Sequence, residues 1–365
     1  MLEESYRDNK RYLLMLVLPI TVLAKFIQFN FLPDKYFYDS SRMLSMLNNT
    51  GDMPAWGGGY EVVVNVFKKI NFLGFTTLNE WAIFLATIFG IMLVFMIARL
   101  EDMDIVQTIF MMASIGLLNI YVFNISKEII QYGIFMLMYI IVIQKKIKPP
   151  IKVILCFGVF YWESTFFRSY YILMGALFVL VYCIFKKIQI DNKPIKAGTV
   201  CKILIIIFFA VFVLLFLSKY ISYEDYQMVL GVSESHENLG ATSAIVDLIP
   251  VNGNLGLFML NYVINAVRMM IPVELLTNGV FYVPFVLFQV FVLYYFVKSL
   301  KKLNRDTSDM EVIALAAFCG YLLGSFLFET VFGSFVRHEA ATFPILHVMA
   351  VNKSNYFGKN NKVKE

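Results

Sequence analysis

Charge is scarce in this chain, and so are histidine, cysteine and tryptophan. Of its 365 residues 16% are charged, where an ordinary soluble domain has about 25%. Hydrophobic residues make up 59%, against roughly 45–50% in such a domain. A chain so short of charge cannot cover the surface of a water-soluble fold, so lipid must shelter the excess. The cysteines Cys156, Cys183, Cys201 and Cys319 lie in apolar runs or beside lysines, none at metal-ligand spacing and none placed for an external disulfide. Gly57-Gly58-Gly59 is no phosphate loop, because no strand precedes it and no Lys-Ser/Thr follows. The alternating ten-residue pattern of an outer-membrane barrel is missing. So is a repeat of the kind many secondary transporters carry. The net charge of +5 comes from lysines in short linkers, where orientation signals sit, and does not point to nucleic acid.

What fills the chain instead is runs of about 20 apolar residues from end to end. They predict an all-α, polytopic integral membrane protein of about ten transmembrane helices, a single transmembrane domain over residues 1–365. The first run, Tyr12 to Leu32, is too long for a signal-peptide core and lacks a small-residue cleavage site, so it reads as a retained helix. Arg7, Lys10 and Arg11 place the N-terminal tail in the cytosol. Residues 33–80 are then the first outer loop. Further crossings follow at Trp81 to Leu100, Ile105 to Phe123 and Ile129 to Gln144, with Asn124 to Glu128 as an outer corner. Lys145 to Lys152 is cytosolic. Residues 151–185 exceed one helix and split at Trp162 to Arg168, on the outer side.

Lys186 to Lys202 marks the cytosol again, and Ile203 to Ser218 crosses outward. Residues 219–278 form the fourth outer loop, in which 255–276 is a re-entrant or interfacial helix broken by Arg268 and Pro272. Gly279 to Val297 and Glu311 to Phe328 are crossings. Glu329 to Glu339 is an outer corner, and Ala340 to Val351 a short final inward helix. Both termini are cytosolic in this scheme, which puts every lysine cluster on one side.

The scheme gathers the charges that abut apolar sequence on the outer face. They include Asp34, Asp39, Arg42, Lys127, Glu128, Glu163, Arg168, Arg268, Arg337 and His338. An ionisable group at membrane depth costs roughly 2.5–3.5 kcal/mol on insertion scales, so such groups are paired or functional. Several guanidinium groups facing one cavity suit a diphosphate, whose oxygens arginine's planar fork binds in pairs. Carboxylates there would act as general base or hold a sugar hydroxyl. Plainer roles stand beside these. Asp34 can cap a helix, and Asp39 can be solvated. Arg42 can reach to lipid headgroups, Lys127-Glu128 can open a helix capped by Ser126, and Arg168 can pair with Glu163. His347 reads as a packed core histidine and His236 as a solvated one.

Many spans, a large outer loop and outer-face arginines resemble the bacterial O-antigen and capsular or exopolysaccharide polymerases. Ser126-Lys127-Glu128 opening a helix, Arg168 beyond the following helix pair and the late Arg337-His338 are similar to features of that group. The resemblance implies a polymerase in the bacterial plasma (inner) membrane, acting on the extracytoplasmic side without nucleotide sugar; no cofactor and no metal-ligating residues are expected. It would transfer a growing glycan from an undecaprenyl diphosphate carrier onto another lipid-linked repeat unit. Its partners would be the undecaprenyl-diphosphate-linked oligosaccharide, membrane lipid and polysaccharide export or chain-length proteins. Arg337, Arg168, Arg268, Lys127, Arg42 and Glu128 would hold substrate and diphosphate. His338, Asp34, Asp39 and Glu163 would supply acid–base chemistry. The stretch Pro33 to Arg42 also resembles the first outer loop of GT-C glycosyltransferases, where an acid after the first helix is base or metal ligand. Those enzymes often show two adjacent acids; here Lys35 follows Asp34. A transporter is the non-enzyme alternative. It needs charges through mid-membrane, whereas here the middles of the spans carry almost none.

Overall fold

The computed structural model describes residues 2–51, 58–100, 103–189, 243–250, 255–303 and 307–351. Among them regular structure is helical throughout, apart from one isolated antiparallel bridge between Ala244 and Val331. The α-helices are α1 (Leu2–Asn30), α2 (Tyr38–Asn48), α3 (Gly58–Ile70), α4 (Leu78–Arg99), α5 (Ile105–Leu117), α6 (Lys127–Val142), α7 (Pro149–Phe166) and α8 (Tyr171–Ile188). After a gap come α9 (Leu255–Met270), α10 (Val283–Lys302), α11 (Asp309–Phe328), α12 (Phe332–Ala341) and α13 (Phe343–Val351).

Local sequence explains where several of these begin. Thr77 with Glu80, Asp104 with Gln107 and Ser308 with Glu311 form reciprocal capping boxes at the starts of α4, α5 and α11. Each satisfies backbone N–H groups that a helix start leaves without a partner. Ser126 caps α6 through its hydroxyl, which accepts from the Ile129 N–H at 3.3 Å. Six stretches among the described residues are long and apolar enough to cross a bilayer: Asp8–Asn30, Leu78–Arg99, Ile105–Val122, Tyr171–Ile188, Val280–Lys302 and Asp309–Phe328. That number is what a multi-pass membrane protein presents. At 16 residues α6 falls below that length, as does α13 at nine. The expected crossing Ile203–Ser218, the 219–242 part of the fourth outer loop with His236, and the C-terminal tail lie outside the described residues.

The chain divides into two compact units, Met1–Gln144 with Val159–Ser169 and Ala340–Glu365, and Lys145–Gly158 with Tyr170–Glu339. In the first, α1 packs on α4 and α5, α2 on α3, and α6 on α13. Only 22% of the apolar window of α1 is covered by protein, and Met15, Leu18, Val22 and Phe26 face outward, as expected of a lipid-facing helix. Residues 33–80, read from sequence as a loop, are mostly helical. A 3₁₀ turn (Asp34–Phe37) leads into α2, and α3 follows. Fully buried Trp81 ties this segment to α4, with Phe67 at 4.9 Å and Phe75 at 5.2 Å between ring centroids.

In the second unit α8 and α11 make the most extensive contact, and 83% of the apolar window of α11 is enclosed. Gly320 and Gly324, one turn apart on α11, permit it. A Cβ on Gly320 would come within 2.7 Å of both the Met174 carbonyl oxygen and the Phe178 amide nitrogen of α8. A Cβ on Gly324 would meet the Met174 side chain at 2.5 Å. Small residues four apart let two membrane helices bring their backbones together.

Two further segments differ from the sequence reading. Glu329 to Glu339 is not a bare corner, since most of it belongs to α12. Ala340 to Val351 is not one helix either: it breaks at Thr342 and restarts as α13. Pro344 explains the break, because its missing N–H and its ring cannot continue a helix from the preceding turn. The break at Pro272 follows the same logic. There α9 ends at Met270 and a 3₁₀ turn (Val273–Asn278) takes over.

Candidate functional site

The first unit brings together three segments expected on the outer face. Asp39, in the first turn of α2, accepts a 2.5 Å hydrogen bond from the Tyr60 hydroxyl of α3. Its other carboxylate oxygen lies 3.3 Å from the Lys127 ammonium at the start of α6. Lys127 also donates to the Tyr60 oxygen at 3.3 Å and sits 4.5 Å above the Tyr60 ring. Burial first, and then the Asp39 charge, push the Tyr60 phenol above its ordinary value, so it remains a proton donor. Glu128 and Arg42 act on the same phenol with opposite sign, which places both beside it. Four of the residues singled out from sequence thus converge on Tyr60, which was not among them. Ser126 caps the helix, the plainer reading of this corner, and Lys127 in its first turn reaches Asp39.

Close by, the start of α3 approaches the end of α7: a Cβ on Gly59 would lie 3.9 Å from the Phe167 carbonyl oxygen. The next residue, Arg168, holds its guanidinium 5.3 Å from the centre of the Phe167 ring. Glu163 is fully buried on α7. Asp34 makes no side-chain cap for the turn it opens and lines a pocket instead. His347 is fully buried on α13, its Nδ1 2.9 Å from the Phe343 carbonyl oxygen, which assigns the proton to Nδ1 and makes it a packed core histidine.

A second cluster lies within the other unit. His338 on α12 is 5% exposed, and its Nδ1 lies 2.5 Å from Oε1 of Glu329. A carboxylate on one ring nitrogen orients an imidazole and sets which tautomer it holds, so proton exchange with a reacting group would run through Nε2. One position earlier, Arg337 donates to the Ser334 hydroxyl at 3.2 Å. Glu339 is completely buried, and burial pushes its carboxyl up to about 8. Glu329 escaped the sequence reading because it stands nine positions before His338, with no helical periodicity to pair them.

Arg268 serves a different purpose. Its Nε and Nη2 donate to both oxygens of Glu274 at 2.6 and 2.7 Å, and Nη1 donates to the Val246 carbonyl and to Asn265. Four of its N–H donors are thereby spent on the protein. The guanidinium lies 5.5 Å from the centre of the Phe332 ring. Asn265 in turn donates to Asp247 at 2.7 Å. The arrangement is a clasp that holds residues 243–250 to α9 and to the first turn of α12. The same stretch pairs with the corner through Ile245 N–H to Thr330 O and Phe332 N–H to Ser243 O.

The residues proposed from sequence therefore divide. Asp34, Asp39, Arg42, Lys127, Glu128, Glu163 and Arg168 belong to the first unit; Arg268, Arg337 and His338 belong to the second. Compared with known proteins, the chain matches no family model, no curated protein and no solved structure.

Proposed function

We propose that this chain is a membrane glycosyltransferase that polymerises lipid-linked oligosaccharide repeat units on the extracytoplasmic face of the bacterial inner membrane. The observation that carries the reading is the His338–Glu329 pair on a helix that also bears Arg337. In the reaction an acceptor hydroxyl attacks the anomeric carbon of the donor glycan. The bond from that carbon to the diphosphate oxygen breaks, and undecaprenyl diphosphate leaves with the bonding electrons. His338 takes the hydroxyl proton through Nε2 while Glu329 stabilises the imidazolium. Arg337 offers a planar fork to the departing diphosphate. Within the first unit, taken by itself, Lys127, Arg42 and Arg168 offer positive charge to a lipid-linked diphosphate, and Asp39 with Tyr60 holds the Lys127 ammonium in place. Arg268 leaves the substrate-binding set, because its donors already serve Glu274, Val246 and Asn265.

In this reading both termini are cytosolic, and polysaccharide export or chain-length proteins are its partners. The test is purified protein in lipid nanodiscs with an undecaprenyl-diphosphate-linked oligosaccharide. A ladder of products is the expected result, and Arg337→Ala should abolish it. Products longer by one sugar would make the chain a single-sugar transferase. Repeat units accumulating on the cytosolic side of cells carrying Arg337→Ala would make it a transporter.

A further inference from the structure

Within the first unit a pocket of about 110 Å3 lies among the end of α1, the Asp34–Phe37 turn, α2, the start of α4 and Asn124. That is room for several waters. Three of its polar wall side chains are buried: Gln28 is 9% exposed, Ser40 6% and Asn124 3%. Their orientations are set from behind. Gln28 donates to the Asn124 amide oxygen at 2.8 Å, and Asn124 donates to the Ile120 carbonyl at 2.6 Å. Buried Lys25 donates to Gln28 at 2.9 Å and to the Asn119 and Phe123 carbonyls at 2.5 and 2.9 Å. A π-helical turn, Leu118–Val122, presents this corner of the chain. Such turns recur at functional sites. The remaining polar walls are Asp34, Ser41 and Asn79, and Phe37 adds an aromatic ring.

Among the described residues no lysine or arginine lines the pocket, and Asp34 puts a carboxylate in it, so an anion is disfavoured. A lipid tail would strip water from Asp34, Ser40, Ser41 and Asn79 and return no hydrogen bonds. A ring bearing several hydroxyls does return them, since each hydroxyl both donates and accepts. We propose that this pocket is a saccharide subsite that takes one sugar ring by its hydroxyls, with Asp34 accepting from one of them. The subsite rests on the proposed function only for the lipid-linked origin of that sugar. On α2, Ser40 and Ser41 line the pocket, while Asp39 and Arg42, three residues apart, share a different face of that helix.

The test is saturation-transfer NMR on the full chain in nanodiscs, with a panel of methyl glycosides of hexoses, N-acetylhexosamines and 6-deoxyhexoses, beside the polymerisation assay. At least one glycoside should bind wild type and Arg337→Ala alike. Ser41→Leu, which fills the pocket, should remove the signal. Asn79→Ala, at an exposed position that leaves the fold intact, should weaken binding about tenfold, the loss of one hydrogen bond. Polymer formation with no glycoside bound, or with binding unchanged in both variants, overturns the subsite and leaves the polymerase reading standing. Binding lost in the variants while wild type makes no polymer upholds the subsite and overturns the polymerase.

Discussion

Glu329 and His338 are joined at 2.5 Å across nine residues, one at the end of α11 and the other inside α12. The pair is nearly shielded from water, with side-chain exposures of 10% and 6%. A carboxylate in that position orients the ring and fixes the tautomer it holds.

His338→Gln should therefore slow ladder formation by about 10²–10⁴-fold, the usual contribution of a positioned base, with little change in the KM for the lipid-linked donor. Glu329→Gln keeps the hydrogen bond but not the charge, so it should lower kcat by less. Steady-state kinetics on both variants checks this. A matching rise in KM with kcat unchanged would reassign the pair to binding.

Glu339 ties stability to pH. Its folded-state value of about 8 lies above the ordinary carboxylate value of 4.5, so the folded chain holds that proton more tightly than the unfolded chain does. The resulting stabilisation is complete below pH 4.5, declines as pH rises and is gone above about 8. Thermal unfolding in detergent should follow that trend, and Glu339→Gln should flatten it. A variant with the same slope as wild type would place the titration elsewhere.

Lys25→Met should loosen the corner that presents Lys127. It strips the donor from the Asn119 and Phe123 carbonyls inside a buried site, at roughly 1–3 kcal/mol for each group left unsatisfied. Faster hydrogen exchange at residues 119–127 reports the change. Exchange there equal to wild type would show that the π-helical turn holds itself.

The Arg268–Glu274 clasp should show coupling in a double-mutant cycle of Arg268→Ala and Glu274→Ala. Glu274 is 45% exposed, so solvent screening limits the pair to about 1 kcal/mol. Residues 243–250 should exchange faster in either single variant. Loss of polymer with unchanged exchange would return Arg268 to substrate binding.

Gly320→Ala should cost about 1–3 kcal/mol, because two backbone atoms of α8 occupy the space a methyl group needs and neither can turn aside. Gly324→Ala should cost less, since its neighbour is the flexible Met174 side chain. Denaturant titration of the purified protein measures both.

Much of this architecture was legible from sequence. Apolar runs located most helices and Ser126 the start of α6, and the break between α7 and α8 falls where charges interrupt the apolar pattern at Glu163 and Arg168. Asp39, Arg42, Lys127 and Glu128 were readable as charges that abut apolar sequence. What joins them was not: Tyr60 looks like any interfacial tyrosine until its hydroxyl meets Asp39. Lys25 was hidden for the opposite reason. A lone lysine in an apolar helix reads as a residue reaching for the interface, yet main-chain carbonyls of the α5–α6 corner satisfy it. Gly320-Tyr321-Leu322-Leu323-Gly324 carries a spacing that signals close helix approach, but spacing alone names no partner helix. The pairing of Arg268 with Glu274 was not legible, because arginine suits a carboxylate as well as it suits a phosphate, and Glu274 lies beyond a proline break.

With the two glycines of α11 set against the Met174 carbonyl and the Phe178 amide, no layer of side chains separates α8 from α11 at that point. A file of waters, a lipid chain or a polar solute therefore has no route along this seam. Nor can the two helices slide past one another there without driving backbone into backbone. They form a single stave, and any rearrangement of the second unit has to carry α8 and α11 together.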